Sequence, residues 1–261
     1  MEAVFFDLDR TIIARASLAA YSPVLRREGF LKLPMVFRAA WGQIIYRFFG
    51  ASDESIDRAR RTALRLVAGI EQDTLRTIAR ENLAEVIEPI VYDEALGLIE
   101  DHRSQGRLLV LVSAAPIEIV DPLAKHLDID EYIATTPEID PEGRYTGNIE
   151  FLAQGSGKAE AIKRLAKIRK IDLVDSWSYS DSISDLPMLE IVGHPVVVNP
   201  DRQLRRIAHE RSWPVLKFEQ PVALGDRIPL DRRWGAITGL TLIVLLGMWT
   251  AIRRTRKHIE I

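Results

Sequence analysis

Residues 3–11 read AVFFDLDRT: an apolar run, Ala3 to Phe6, that ends in Asp7, Leu8, Asp9, Arg10 and Thr11. Val4, Phe5 and Phe6 have the character of a buried strand, and the two carboxylates arrive where it should end. On a strand, residues i and i+2 point to the same side, so Asp7 and Asp9 would project together. Carboxylates that close raise each other's proton affinity unless a cation lies between them. A metal ion, or a division into one nucleophile and one proton carrier, gives such a pair a purpose. A strand running into an acidic turn is the plainer alternative.

The composition bounds the rest. A chain of 261 residues can bury a full core in one large domain or two small ones. A formal charge of −2 gives no electrostatic case for nucleic acid. Cysteine is absent, which removes disulfides and thiolate zinc sites and suits a reducing compartment. The five histidines, His102, His126, His194, His209 and His258, are scattered without metal-ligand spacing. Glu2, Asp7 and Asp9 interrupt the N-terminus, which does not read as a signal peptide.

Gly235 to Ile252, GAITGLTLIVLLGMWTAI, carries no charge across 18 residues. As a helix it would be roughly 27 Å long, close to the thickness of bilayer hydrocarbon. Trp234 and Trp249 lie near its ends, and basic residues flank it: Arg232 and Arg233 before, Arg253, Arg254, Arg256 and Lys257 after. This pattern is expected to form a single C-terminal transmembrane helix over 234–252, with a linker at 219–233, a basic tail at 253–261 and the catalytic domain in the cytoplasm.

Between these ends, strands alternate with helices. Residues 16–50 and 55–85 read as helical, with Pro34 starting or breaking a helix and Ser52-Asp53-Glu54 as a cap. A helix at 92–105 precedes Gly106, and a strand follows at 108–112, ending in Ser113. A helix at 117–127 comes next, then strands at 132–136 and 145–149 paired about the turn Asp140 to Gly143. Lys158 opens a helix to about Arg169, a strand at 176–180 leads into Asp181 and Asp185, and further strands follow near 195–198 and 215–218. The alternation predicts an α/β fold: a Rossmann-like parallel sheet with helices on both faces. Such sheets bind ligands beyond the carboxyl ends of their strands, where Asp7, Asp9, Ser113, Asp181 and Asp185 all fall.

In order, the chain carries Asp7-x-Asp9-x-Thr11, Ser113 after a strand, Lys158 at a helix start and Asp181-x-x-x-Asp185. This set resembles the haloacid dehalogenase superfamily, in its phosphatase branch with a helical cap between the first and second motifs. The resemblance covers residues 3–218. Ser180 to Leu189, SDSISDLPML, is similar to the phosphoserine-phosphatase-like subgroup, subfamily IB. It implies a catalytic core at 1–15 and 95–218 and an inserted cap at 16–94.

The resemblance also implies roles. Asp7 would be the nucleophile that forms an aspartyl-phosphate, and Asp9 the group that protonates the leaving alcohol and later deprotonates water. Mg2+ would be held by Asp7, Asp181 and the main-chain carbonyl of Asp9, with Asp185 completing or orienting the shell. Thr11, Ser113, Ala114 and Lys158 would bind phosphate, Thr11 by fixing the loop and Ala114 through its main chain. The physical need is plain: a carboxylate attacking a phosphate anion meets a repulsion of roughly 4 kcal/mol per charge pair at 4 Å and an effective dielectric of 20. Gly155-Ser-Gly157-Lys158 is not a P-loop, because Leu152 stands where a glycine is needed and Ala159 replaces the Ser/Thr. No Gly-x-Ser-x-Gly supports a serine hydrolase.

Substrate identity is less determined. Phosphoserine phosphatases place a glutamate five residues after the motif threonine; here that position is Ala16, between Arg15 and Ser17. Phosphoserine therefore ranks below other esters. Arg10 stands where many relatives have a small residue, and both substrate contact and an outward orientation stay open for it. Gly29 to Gly50 mixes aromatic, aliphatic and basic side chains and suits either a packed cap or a membrane interface. The expected partners are a small phosphate ester, with a lipid phosphate in view, and a membrane. A phosphotransferase to an alcohol and a non-catalytic membrane-tethered scaffold are the other readings.

Overall fold

In the computed structural model the described residues are 1–30 and 67–219. Pro34, the Ser52-Asp53-Glu54 cap, most of Gly29–Gly50, and the linker, transmembrane helix and tail lie outside them. Among the described residues no helix is long and apolar enough to cross a membrane.

The seven strands are β1 (Ala3–Asp7), β2 (Leu108–Pro116), β3 (Glu131–Ile139), β4 (Tyr145–Phe151), β5 (Trp177–Ser180), β6 (His194–Val198) and β7 (Val215–Leu216). They form one sheet in the order β4-β3-β2-β1-β5-β6-β7, parallel throughout except for the antiparallel pair β3 and β4. β1 lies at the centre and is buried along its whole length, which is why it reads as an unbroken apolar run. The α/β reading, with a parallel sheet and helices, matches this architecture.

Helices cover both faces. They are α1 (Ser17–Arg27), α2 (Gln72–Glu81), α3 (Leu83–Val86), α4 (Asp93–Ser104), α5 (Ile117–His126), α6 (Ser156–Arg169), α7 (Leu186–Leu189) and α8 (Arg202–Glu210). On one face, Ala3 and Phe5 pack with Val110 and Val112 of β2, Ile162 and Ala166 of α6, and Met188 of α7. On the other, Phe6 stacks on Tyr179 of β5 at 4.9 Å, and His102 of α4 meets both rings. Alternation along β1 divides these contacts, and burial of each large side chain contributes about 1.5–3 kcal/mol.

Several predicted bounds move. β2 runs to Pro116 instead of ending at Val112, with a register shift between Ser113 and Pro116. Ser113 and Ala114 thus sit in an irregular strand end, not in a loop after it. The hairpin β3–β4 extends beyond both predicted strands, and Asp140 fixes its turn by accepting from the N–H groups of Glu142 (3.1 Å) and Arg144 (2.7 Å). Residues 67–86 are not one helix: a turn at Gly69, with φ +82°, precedes α2, and Asn82 separates α2 from α3. A short 3-10 turn, Ile183–Asp185, leads from the end of β5 into α7.

Two passages of chain lie side by side at the carboxyl edge. Ala14 N–H donates to Ile90 O at 2.7 Å, and Tyr92 N–H donates to Ile12 O at 2.9 Å. The chain leaves the sheet and returns to it at one place. Residues 69–72 run along the hairpin, with Tyr145 N–H donating to Ile70 O (3.0 Å) and Gln72 N–H to Gly143 O (2.9 Å).

Candidate active site

Asp7 is the last residue of β1 and pairs in register with Val112, so it stands beside the end of β2. Its Oδ1 accepts from Lys158 Nζ at 2.6 Å, and its Oδ2 accepts from Thr11 Oγ1 at 3.2 Å. Lys158 reaches it from the first turn of α6. The backbone there allows no side chain before it, because a Cβ on Gly157 would come 2.3 Å from Leu152 O. Lys158 Nζ also donates to Asp185 Oδ2 at 2.8 Å, and that carboxylate accepts from Ser180 Oγ at 2.7 Å. Lys158 is 2% exposed and Asp7 5%, so these charges interact with little solvent between them. Three sequence-selected groups from β1, α6 and the segment after β5 therefore meet directly.

Asp181 follows β5 and belongs to the same electrostatic cluster. Its side chain accepts no hydrogen bond among the described residues, and its nearest cation is Arg10 Nη1, 3.9 Å from Oδ2. Burial pushes its pKa up to about 7; Arg10 opposes the rise, and Asp185 and Asp201 add to it. Asp7 is likewise raised well above the usual carboxylate range, first by burial, with Lys158 working against the rise and Asp185 adding to it. Burial alone would lower the Lys158 ammonium, but Asp7 and Asp185 outweigh it and hold the pKa above its ordinary value.

Asp9 is half-buried and turns toward α1: its Oδ1 accepts from the N–H of Ser17, the first residue of that helix, at 2.8 Å. Burial raises its pKa, and the Ser17 bond opposes that rise. A raised carboxyl holds a proton more readily, as a proton donor must. Thr11 sits in a turn whose N–H groups at Thr11, Ile12 and Ile13 all point to Leu8 O, in keeping with a loop-fixing part.

Ser113 is buried, and its Oγ accepts from Ala115 N–H at 3.1 Å. Its hydroxyl proton has no acceptor among the described residues. Ala114 is exposed, and its carbonyl accepts from Thr135 Oγ1 at 2.8 Å. Among the described residues neither hydrogen-bonds to the side chain of Asp7 or Lys158. Ser17, Ser180 and Asp201 escaped the sequence reading. Asp201 caps α8 through Gln203 and Leu204 N–H while its other oxygen accepts from Ile183 N–H, behind Asp181. An aspartate before a helical run was the available signal for that cap. The partners of Ser17 and Ser180 had none.

The donor set suits a hard divalent cation. Asp7, Asp181 and Asp185 are buried oxygen donors, their negative charge exceeds what Lys158 supplies, and Asp181 lacks a donor of its own. The four residues expected to hold metal do gather at one edge. Among the described residues, however, no three acidic side chains stand at metal-ligand spacing, and Lys158 engages one oxygen each of Asp7 and Asp185.

Comparison with known proteins agrees with this geometry. Residues 4–190 match the model of the haloacid dehalogenase-like hydrolase family. A Mycobacterium tuberculosis protein named a probable phosphatase is 44% identical over 227 residues, covering 87% of this chain and 79% of that one. The crystal structure of a protein of unknown function from Bordetella pertussis superposes with a TM-score of 0.71 at 30% identity, covering 82% of this chain and 97% of that one. A substrate-bound phosphoserine phosphatase shares the fold at a TM-score of 0.59 and 16% identity, over 84% of this chain and 93% of its own. The chain belongs to the haloacid dehalogenase-like hydrolase family.

Proposed function

We propose that this hydrolase is a magnesium-dependent phosphomonoesterase that works through an aspartyl-phosphate on Asp7. The observation that carries the reading is the placement of Lys158 Nζ between Asp7 and Asp185, with Asp181 beside them, at the carboxyl edge of the sheet. Relatives named phosphatases support the same activity. Mg2+ held by Asp7, Asp181, Asp185 and the Asp9 carbonyl would offset the charge of carboxylate and phosphate as they approach.

The chain's own residues account for the rest. The Asp7 carboxylate bonds to phosphorus, and the bond from phosphorus to the alcohol oxygen breaks with its electrons going to that oxygen. The oxygen takes the proton held by Asp9. Asp9, now a carboxylate, takes a proton from water, and that water's oxygen bonds to phosphorus as the bond to Asp7 breaks. Inorganic phosphate leaves, and both aspartates are restored. Lys158 stabilises the phosphoryl oxygens near Asp7, and Ser113 donates its free hydroxyl proton to one of them.

The substrate is a small phosphate ester, taken at the membrane surface, with lipid phosphates included. The apolar segment Gly235–Ile252 and its basic flanks support the membrane part. Phosphate release by the full chain in detergent, with Mg2+ and with EDTA, tests the chemistry, and Asp7→Asn should abolish release while the circular dichroism spectrum stays unchanged. Release that persists in Asp7→Asn would remove the nucleophile assignment. Carbonate extraction of membranes from cells making the chain tests the anchor, since a protein that washes off does not span the bilayer.

A further inference from the structure

Arg10 is a largely exposed cation at the lip of an acidic site, held there only by a long ion pair to Asp181. Its backbone is left-handed, φ +65°, a conformation that residues with a side chain rarely adopt. The turn that imposes it is held by Leu8 O, which accepts from Thr11, Ile12 and Ile13 N–H, so the side chain plays no part in building the loop. That side chain is 62% exposed, and at 3.9 Å its nearest contact, Asp181, is beyond hydrogen-bond distance. Among the described residues the guanidinium donates no hydrogen bond. A planar fork of donors suited to carboxylate or phosphate oxygens thus faces the approach to the site.

Its position identifies which part of a substrate it meets. Arg10 follows Asp9, and in the proposed chemistry Asp9 faces the alcohol oxygen. Asp9 leans toward the start of α1 through Ser17 N–H, and in that chemistry the alcohol portion of the ester would approach along residues 9–17. Asp9 is the one acidic residue in that stretch, whereas Arg10 and Arg15 are both exposed and basic. A cationic alcohol portion finds no carboxylate there apart from the one doing chemistry. An anionic portion finds a guanidinium whose hydrogen-bond donors are unused among the described residues.

We propose that Arg10 forms an anion-binding subsite, and that the preferred substrates are phosphate monoesters whose alcohol portion carries a second negative group, a carboxylate or a phosphodiester. The proposal rests on the phosphatase reading of the site and adds the class of leaving group. It is tested with the full chain in detergent and Mg2+, using two matched pairs. The soluble pair is 3-phosphoglycerate against glycerol 3-phosphate; the lipid pair, in mixed micelles, is phosphatidylglycerol phosphate against phosphatidic acid. In each pair the first ester carries the additional anion. The readout is the ratio of kcat/KM within a pair, for wild type, Arg10→Gln and Arg10→Lys.

The expected result is a wild-type ratio of tenfold or more in at least one pair, arising mainly in KM. Arg10→Gln should collapse that ratio toward one, and Arg10→Lys should restore part of it. The pair that shows the preference identifies a soluble or a lipid source. A ratio near one in both pairs, or a preference that survives Arg10→Gln, overturns the subsite while leaving the phosphatase intact. No release from any of the four esters overturns the phosphatase reading itself and the subsite with it.

Discussion

Strands β1 and β5 carry two buried polar regions, one on the side of the sheet that packs against α4 and one at its carboxyl edge. On the α4 side His102, Tyr179 and Arg107 all find partners. His102 Nδ1 faces Arg107 Nη1 at 3.0 Å, and since arginine can only donate, Nδ1 must accept. The proton therefore sits on Nε2, which donates to Tyr179 Oη at 2.8 Å. Arg107 in turn pairs with Glu2 at 2.7 Å and lies 3.7 Å over the Trp177 ring. At the carboxyl edge the balance fails: Asp7 and Asp185 share one lysine, and Asp181 has only Arg10 at 3.9 Å and no hydrogen-bond donor among the described residues. The His102, Tyr179 and Arg107 groups are satisfied within the fold, while the carboxylates at the edge leave a deficit that a bound ligand can fill.

The contrast can be broken in four places. The largest effect is expected from Asp7→Asn, which should lower phosphate release by about 1,000-fold or more, equivalent to roughly 4 kcal/mol of barrier, with a thermal midpoint at or above that of wild type. A large drop in stability would mean that the edge serves the fold after all. Next, Lys158→Met leaves Asp7 and Asp185 facing each other in a buried space. Urea unfolding should show a loss of about 3–5 kcal/mol in metal-free protein.

The third concerns pH, where the two regions should answer with opposite sign. Burial, then the Arg107 charge, lowers His102 to about 4 from its ordinary 6.5. Its contribution is complete above pH 6.5 and is lost as pH falls toward 4, on the order of 3 kcal/mol for the full shift. Asp181, raised to about 7, behaves the other way: it favours the fold when protonated, so acidification from pH 7 relieves the edge. In EDTA the two contributions oppose each other in wild type between pH 6.5 and 4, so the measurement that separates them is the difference from a variant lacking the imidazole. His102→Gln should gain stability relative to wild type on acidification. Parallel profiles for the two proteins would remove the His102 argument. Smallest is Asp181→Asn, expected to stabilise metal-free protein at pH 8 by about 1 kcal/mol and to abolish any rise of the thermal midpoint on adding Mg2+.

The comparison also explains how far the sequence could be read. β1 was legible because a central parallel strand is apolar on both faces, and Asp7 and Asp9 because charges interrupt that run. Lys158 was legible from its place at a helix start in the order of motifs. What escaped depends on contacts between distant segments: the register shift at Ser113, the Ser17 N–H that takes Asp9, and the Ser180 hydroxyl on Asp185. The left-handed backbone at Arg10 has no local cue, since glycine or asparagine is the usual occupant of that conformation. His102 looked like a scattered histidine because Tyr179 and Arg107 approach it only in the folded chain.

The bonds from Ala14 to Ile90 and from Tyr92 to Ile12 place the two ends of the intervening chain in one narrow stem. Provided the first turn of α1 is kept to hold Asp9, and residues 69–72 keep their bonds to the β3–β4 hairpin and to Glu118, the rest of the intervening segment can be exchanged. A chimera that accepts another family member's segment at these two points should keep its hydrolytic machinery and inherit the donor's taste in esters.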